Sequence, residues 1–251
     1  MEYALHGGAL FLKERLPDGR TAFGMPLGGD TAGALGELEA YCGEKGIPMV
    51  LCDLTEEELA VLRGRYPLRA QTNPDWSDYL YLAQDLRTLA GRRYNGQRNH
   101  ISYFRRTYPD YRFAETRPAD MEELLSFYQH SGRVGIKDSD YFQMEQEIVF
   151  EVLEHYEECS FFGGILYARD AVAAFSMGET VGDTLFVHIE KANPQYRGAY
   201  QMMVCEFVRH YAGPGVIYVN REEDCGDEGL RRSKQSYHPC RMLHKCIAEI
   251  G

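Results

Sequence analysis

The stretch Phe161–Glu190, FFGGILYARDAVAAFSMGETVGDTLFVHIE, decides how the chain is read. It holds three runs rich in aromatic, β-branched and small apolar residues: Phe161 to Tyr167, Ala171 to Glu179 and Thr184 to Glu190. Ala168-Arg169-Asp170 and Gly182-Asp183 separate them, and links this short predict tight turns and an antiparallel meander. Upstream, Tyr111 to Thr116 reads as a strand, with helices over Asp120 to His130 and Asp138 to Glu158, the second strongly acidic. Downstream, Arg197-Gly198 opens a helix running to about His210. Val216 to Val219 is then a strand, Glu228 to Ser233 a short helix and Arg241 to Glu249 a final strand. From residue 111 the order is β-α-α-β-β-β-α-β-α-β, an α/β arrangement around a mixed sheet.

The first part of the chain also alternates strand and helix. Ala9 to Leu12 and Ala22 to Pro26 flank the turn Pro17-Asp18-Gly19. A helix with Thr31 as N-cap follows, carrying Leu35, Leu38 and Tyr41 at helical spacing and ending at Gly43 and Gly46. Pro48 to Cys52 reads as a buried strand, and Thr55-Glu56-Glu57-Glu58 as a capping box for a helix that stops before Pro67. Trp76 to Tyr81 is strand-like. The expected division is a first unit over residues 1–72, an Arg-rich connecting segment over 73–110 and a second unit over 111–251 with the main site.

The chain has 251 residues, 27 basic and 38 acidic, for a net charge of −11. Bulk charge therefore does not hold it to polyanions, and any nucleic acid or anionic lipid needs a local basic patch. One candidate exists. Between Leu86 and Pro109 lie six arginines (Arg87, Arg92, Arg93, Arg98, Arg105, Arg106) and no Asp or Glu. Helical spacing puts Arg98, Arg105 and Arg106 near one face, with Asn99 and the aromatic Tyr103 and Phe104 close by. The face is either solvated and paired with acidic neighbours, or a contact for the phosphates of RNA, a lipid head group or a nucleotide. Seven scattered cysteines without a CxxC favour a reducing cytosol over a disulfide framework. The apolar runs are strand-sized, mean hydropathy is −0.43 and Glu2 sits where a signal peptide carries basic residues. A peripheral visit to a membrane surface stays open. His238, Cys240, His244 and Cys246 are zinc-type residues at a spacing that matches no established finger, so packing is the expected role and no metal is assigned. There is no GxSxG, P-loop, GxGxxG or HExxH.

The polar residues with chemical potential fall in three blocks. In Val187-His188-Ile189-Glu190-Lys191, period-two alternation puts His188 and Glu190 on one face and Val187 and Ile189 on the other. The pair is either a solvated strand face or faces a substrate, with Glu190 holding an amine or acting as base. In Asn193–Tyr200, Arg197 and Gly198 mark a strand-to-helix passage whose N–H groups can approach an anion. In the third block, Asn220, Arg221, Glu222, Glu223 and Asp224 follow the carboxyl end of a strand, where α/β sheets place ligands. Its acids suit a cationic amine or Mg²⁺, or a solvated loop capping the next helix. Lys234, Ser236 and Tyr237 offer donors to an oxyanion, or caps for helix-end carbonyls.

Several blocks together resemble one bacterial family, that of the C-terminal catalytic domain of phosphatidylglycerol lysyltransferase, over about residues 3 to 249. They are Trp76-Ser77-Asp78-Tyr79-Leu80-Tyr81, Arg98-Asn99-His100-Ile101, His188-Ile189-Glu190-Lys191-Ala192, Arg197-Gly198-Ala199-Tyr200-Gln201, Asn220-Arg221-Glu222-Glu223-Asp224 and Lys234 with Ser236-Tyr237. The element order likewise resembles the GNAT acyltransferase fold. The resemblance implies a tandem GNAT-like α/β fold with mixed, splayed sheets, related to Fem-type transferases, whose first unit lacks its opening segment. It implies transfer of an aminoacyl group from a charged tRNA-like donor to a lipid head group, peptide or small acceptor. His188, Glu190, Lys234 and Tyr237 would be catalytic. Asp78, Tyr79, Arg197, Gly198, Asn220, Arg221, Glu222 and Asp224 would bind substrate, and Arg98, Asn99, Arg105 and Arg106 would meet phosphate. Two departures bear on this. The sequence carries no transmembrane flippase part, so the lipid acceptor of the family's membrane members is not required and a peptide or small acceptor stays open. Bulky Tyr200 stands where acetyl-CoA users carry a small residue. An acetyltransferase using acetyl-CoA and a non-catalytic ligand- or RNA-binding module are the alternatives.

Overall fold

The computed structural model describes residues 1–130 and 140–251, in two compact units: residues 1–78 with 243–251, and residues 79–242. The first contains β1 (Glu2–His6), β2 (Ala9–Arg15), β3 (Thr21–Phe23), α1 (Thr31–Lys45), β4 (Val50–Leu54), α2 (Glu56–Arg63) and β5 (Leu68–Thr72), joined by the last strand of the chain, β13 (Cys246–Ile250). Its sheet runs β1-β2-β3-β4-β13-β5. The capping box forms as read: the Glu58 backbone N–H donates to the Thr55 hydroxyl and the Thr55 N–H to the Glu58 carboxylate. The N-cap of α1 is Asp30 rather than Thr31, because its carboxylate accepts from the Ala32 N–H at 3.1 Å.

The second unit contains β6 (Asp78–Leu82), α3 (Ala83–Thr88), α4 (Asn95–Thr107), β7 (Arg112–Glu115), α5 (Met121–His130), α6 (Asp140–Glu154), β8 (Phe162–Ala168), β9 (Ala171–Val181), β10 (Thr184–Ala192), α7 (Ala199–Tyr211), β11 (Tyr218–Asn220), α8 (Glu228–Gln235) and β12 (Arg241–Leu243). The expected start of the acidic helix at Asp138 lies outside the described residues. The sheet order is β12-β6-β11-β10-β9-β8-β7. The meander β8-β9-β10 is antiparallel throughout, while β10 and β11 run parallel. The result is a mixed, forked sheet.

The unit boundaries correct the expected ones. Residues 73–110 are not a connector: β6 pairs with β11, and α3 and α4 pack on α7. The reason is apolar content: Tyr81, Leu86, Tyr94 and Phe104 are wholly buried beneath the arginines. The expected strand Arg241 to Glu249 is two strands in two sheets, since His244 and Lys245 interrupt it and only β13 continues into the first unit.

Two apolar layers cover the second sheet. On one face Leu185, Val187, Val219, Met202, Phe207 and Phe104 pack together with α3, α4 and α7. On the other, Phe175, Met177 and Ile189 pack against Leu124, Tyr128, Val149 and Leu153 of α5 and α6. Val187 and Ile189 thus face opposite layers. The cause is a bulge: β10 pairs with β9 as Val187↔Gly178 and then Ile189↔Met177, leaving His188 as the extra residue. Gly178 permits it, because a Cβ there would collide with the Phe186 carbonyl. The expected alternation, with His188 and Glu190 sharing one face, is therefore corrected.

Candidate functional site

The second sheet opens where β11 ends. β10 and β11 pair only over Thr184–Phe186 with Tyr218–Asn220. Beyond Phe186, β10 continues to Ala192, whereas the chain after Asn220 turns away. Asn220 makes the turn: buried, it accepts the Glu222 N–H at 2.8 Å on its side-chain oxygen, and Glu222 takes a φ of 56°. Side chains rather than backbone then span the fork, and the bulge sorts them into two groups.

The first group is interior. The Arg221 guanidinium donates to Glu190 Oε2 through Nε at 3.1 Å and Nη2 at 2.6 Å. The two side chains are 2% and 11% exposed, so this is a buried ion pair. Tyr237, Tyr81 and Tyr200 ring the guanidinium, with centroids 4.8, 5.7 and 5.8 Å from its central carbon. Burial opposes the charge on Arg221, but Glu190 outweighs it and holds the guanidinium well above its ordinary value. The same burial, with Glu190 beside them, pushes the Tyr81 and Tyr200 phenols up. Two buried polar atoms here have no hydrogen-bond partner among the described residues, Arg221 Nη1 and the Tyr237 hydroxyl.

Behind this pair, Lys234 Nζ donates to the carbonyls of Arg221 at 2.5 Å, Glu222 at 3.1 Å and Glu223. Burial, reinforced by Arg221, pulls its ammonium down to about 8. Lys234 thus ties the post-β11 loop to α8 and is itself buried. Asp224 is buried too. It accepts Arg231 at 2.7 and 2.9 Å, the Tyr79 hydroxyl at 2.6 Å and the Gly226 N–H at 2.9 Å. Burial raises its carboxyl, but these donors prevail and hold it below its usual range.

The second group is accessible. His188 Nδ1 lies 2.6 Å from Glu222 and Nε2 lies 3.3 Å from Glu179. Their side chains are 24%, 36% and 37% exposed, and the Phe161 and Phe186 rings flank the imidazole at 4.8 and 6.2 Å. Burial alone would lower the imidazole pKa, but the two carboxylates overcome it and raise the value above the ordinary 6.5. Both ring nitrogens then donate, one to each carboxylate. Counted as two carboxylates and one imidazolium, the cluster keeps a net negative charge.

The other singled-out residues lie elsewhere. Gly198, at φ 91°, sits against the His100 carbonyl, which a Cβ there would strike, so this glycine serves the approach of α4 to α7. Exposed Arg197 stacks on Tyr103 at 4.8 Å. Asp78 pairs with Lys245 at 2.7 Å in the first unit. Arg98 donates to the carbonyls of Leu89 and Gly91 and to the Asn95 side chain, closing the loop before its own helix. Arg105 reaches Glu206 at 3.4 Å, and Asn99 and Arg106 are exposed. The zinc-type residues are dispersed in role: His238 contacts the Arg93 carbonyl, Cys240 the Leu80 carbonyl and His244 the Ser77 hydroxyl, while Cys246 is core. Among the described residues, three potential metal-ligand atoms lie within 4.8 Å of one another at Glu14, Cys52 and Asp53, in the first unit. Glu179 was not anticipated as part of a site. Its signal was its place two residues before the end of β9, across from the strand carrying His188.

A family model described as phosphatidylglycerol lysyltransferase, C-terminal, matches residues 1–248. An uncharacterised protein of Mycoplasmoides gallisepticum is 24% identical over 200 residues, which cover 79% of this chain and 64% of that protein's length. A crystal structure of a conserved protein of unknown function from Bacteroides thetaiotaomicron superposes with TM-score 0.90 at 31% identity, covering 99% of this chain and 85% of that one. The structure of L-PGS from Bacillus licheniformis superposes at 0.66 and 16% identity, covering 97% and 81%, a likeness of fold. No helix among the described residues is long and apolar enough to cross a membrane.

Proposed function

The chain belongs to the phosphatidylglycerol lysyltransferase C-terminal family, and from that membership we propose that its second unit transfers an aminoacyl group at the open fork between β10 and β11. Family and fold support an acyltransferase of this general type. The observation that carries the finer reading is the His188–Glu179–Glu222 cluster, half-buried at the fork and negative in sum. Such a cluster attracts the ammonium of an aminoacyl donor. The donor in this reading is an aminoacyl-tRNA. The acceptor is a lipid head group or a peptide.

The reaction is attack by an acceptor oxygen or nitrogen on the ester carbonyl carbon. A bond from the acceptor to the acyl carbon forms, the bond from that carbon to the tRNA ribose oxygen breaks, and the proton lost by the nucleophile ends on that oxygen. His188 is placed to relay this proton; held as an imidazolium, it gives a proton up more readily than it takes one until the pH passes its raised value. The Glu190–Arg221 ion pair holds the start of the loop that presents Glu222. Lys234 and Asp224 hold the rest of that loop. Their role is positioning. The tight packing of the His100 carbonyl on Gly198, and the Tyr200 hydroxyl 3.4 Å from Glu190, support a donor other than acetyl-CoA.

The test is a panel of radiolabelled aminoacyl-tRNAs incubated with the protein and with lipid vesicles or peptide extract. Label moving to an acceptor, and lost in Glu222→Gln, is expected. Label retained on every tRNA, together with stabilisation by acetyl-CoA, would sink the proposal.

A further inference from the structure

The sheet of the first unit begins with β1, all five of whose residues are exposed. Tyr3 and Leu5 are 78% and 75% accessible. Among the described residues β1 pairs only with β2, which leaves its other backbone edge open. Which groups point outward follows from the hairpin. The loop Gly7-Gly8, both at positive φ, is closed by His6 opposite Ala9. The pair flanking such a two-residue loop is hydrogen-bonded, and bonded pairs alternate along the ladder. Glu2, Ala4 and His6 therefore direct N–H and C=O toward β2, while Tyr3 and Leu5 direct theirs away.

An added antiparallel strand must bond to Tyr3 and Leu5. A second β1 does so when a two-fold axis passes beside Ala4. Tyr3 then exchanges both hydrogen bonds with the copy's Leu5, and Leu5 with the copy's Tyr3. Ala4 meets its own copy, and Glu2 meets the copy's His6. This is the one register in which all five residues pair. The side chains agree with it. On one face Leu12 already lies beside Tyr3 and Leu10 beside Leu5, so the apolar row continues across the axis. On the other face Lys13 holds Glu2 at 3.1 Å and Glu37 lies 3.7 Å from His6. Across the axis the row reads Lys13, Glu2, the copy's His6 and the copy's Glu37, which sets an imidazole donor between two carboxylates.

We propose that two copies of this chain associate through β1, joining their first-unit sheets edge to edge about a two-fold axis at Ala4. The contact is isologous, and five residues a side make it small and concentration-dependent. Sedimentation of the full chain from low-micromolar to several-hundred-micromolar concentration is expected to show the mass rising from 28.7 kDa toward twice that value. Leu5→Lys is expected to move the midpoint at least tenfold higher. Ala4→Cys tests the register: mild oxidation is expected to link position 4 of both copies, as mapped by mass spectrometry, since unbonded antiparallel pairs approach closely enough for a disulfide. A monomer at every concentration overturns the proposal, as does a dimer indifferent to Leu5→Lys or one that Ala4→Cys does not link. A monomer that instead binds phosphatidylglycerol vesicles through Tyr3 and Leu5 also overturns it and assigns the hairpin to a membrane surface.

Discussion

Two ion-paired groups span the same fork and differ in almost every physical respect. Glu190–Arg221 is buried, ringed by three tyrosines and closed to solvent. His188–Glu179–Glu222 is half-exposed and carries more acid than base. One β-bulge separates them, since the extra residue at 188 sends its neighbours to opposite faces. The interior pair stabilises the loop geometry, and removing one partner leaves an uncompensated charge. The accessible cluster contributes little to stability and is available to a ligand. The lesson is that polar residues close together in sequence can divide into support and chemistry when a strand changes parity.

The sharpest way to break this contrast is Arg221→Met, which strands the Glu190 carboxylate. A loss of about 3–5 kcal/mol is expected, read as a lowered denaturation midpoint. A loss below ~1 kcal/mol would mean the pair is not closed to water. Next is Gly198→Ala, which must adopt a positive φ and meet the His100 carbonyl. It is expected to cost roughly 1–3 kcal/mol while leaving the His188 cluster intact. His188→Gln is expected to cost at most about 1 kcal/mol in stability, yet to reduce aminoacyl transfer by about 10²-fold or more. Its stability cost also has a pH signature. The His188 pKa is raised in the folded state, so its stabilisation is fully present below the ordinary 6.5 and is lost as pH rises through the folded value. Denaturation of wild type and variant at a series of pH values should show the gap closing toward alkaline pH; a constant gap would remove the imidazolium. The smallest effect is expected for Arg106→Ala, about 0.5 kcal/mol or less on stability. If this exposed side chain meets a tRNA, the variant should still weaken tRNA binding and flatten its salt dependence.

Much of the fold was legible because its signals are local. The meander over 161–190 announces itself by strand-length runs and two short links, and the Thr55–Glu58 box by its own hydrogen bonds. The neighbourhood of the site was legible as well, since His188, Glu190, Arg221, Glu222 and Lys234 lie at or beside the same fork. Their arrangement was not. Period-two reasoning fails at a bulge, which depends on Gly178 in the neighbouring strand. Glu179 carried no motif of its own and joins the cluster only through the pairing of β9 with β10. For the arginines of α3 and α4 the sequence leaves two readings open, a face paired with acidic neighbours or a phosphate contact. Arg98, however, is engaged by its own loop and Arg105 by Glu206.

The sequence alone determined most element types and the α/β class, because these follow from residue spacing and turn chemistry within a few positions, and it carried the family through the resemblance of whole blocks of residues. Tertiary structure decided which strand belongs to which sheet, sending β13 into the first unit and β6 beside β11. It also decided which charges are sealed and which are open at the fork. Those outcomes depend on contacts between residues far apart in the chain. A charge is desolvated or left in water by whatever packs over it, and here the packing comes from rings at positions 81, 200 and 237.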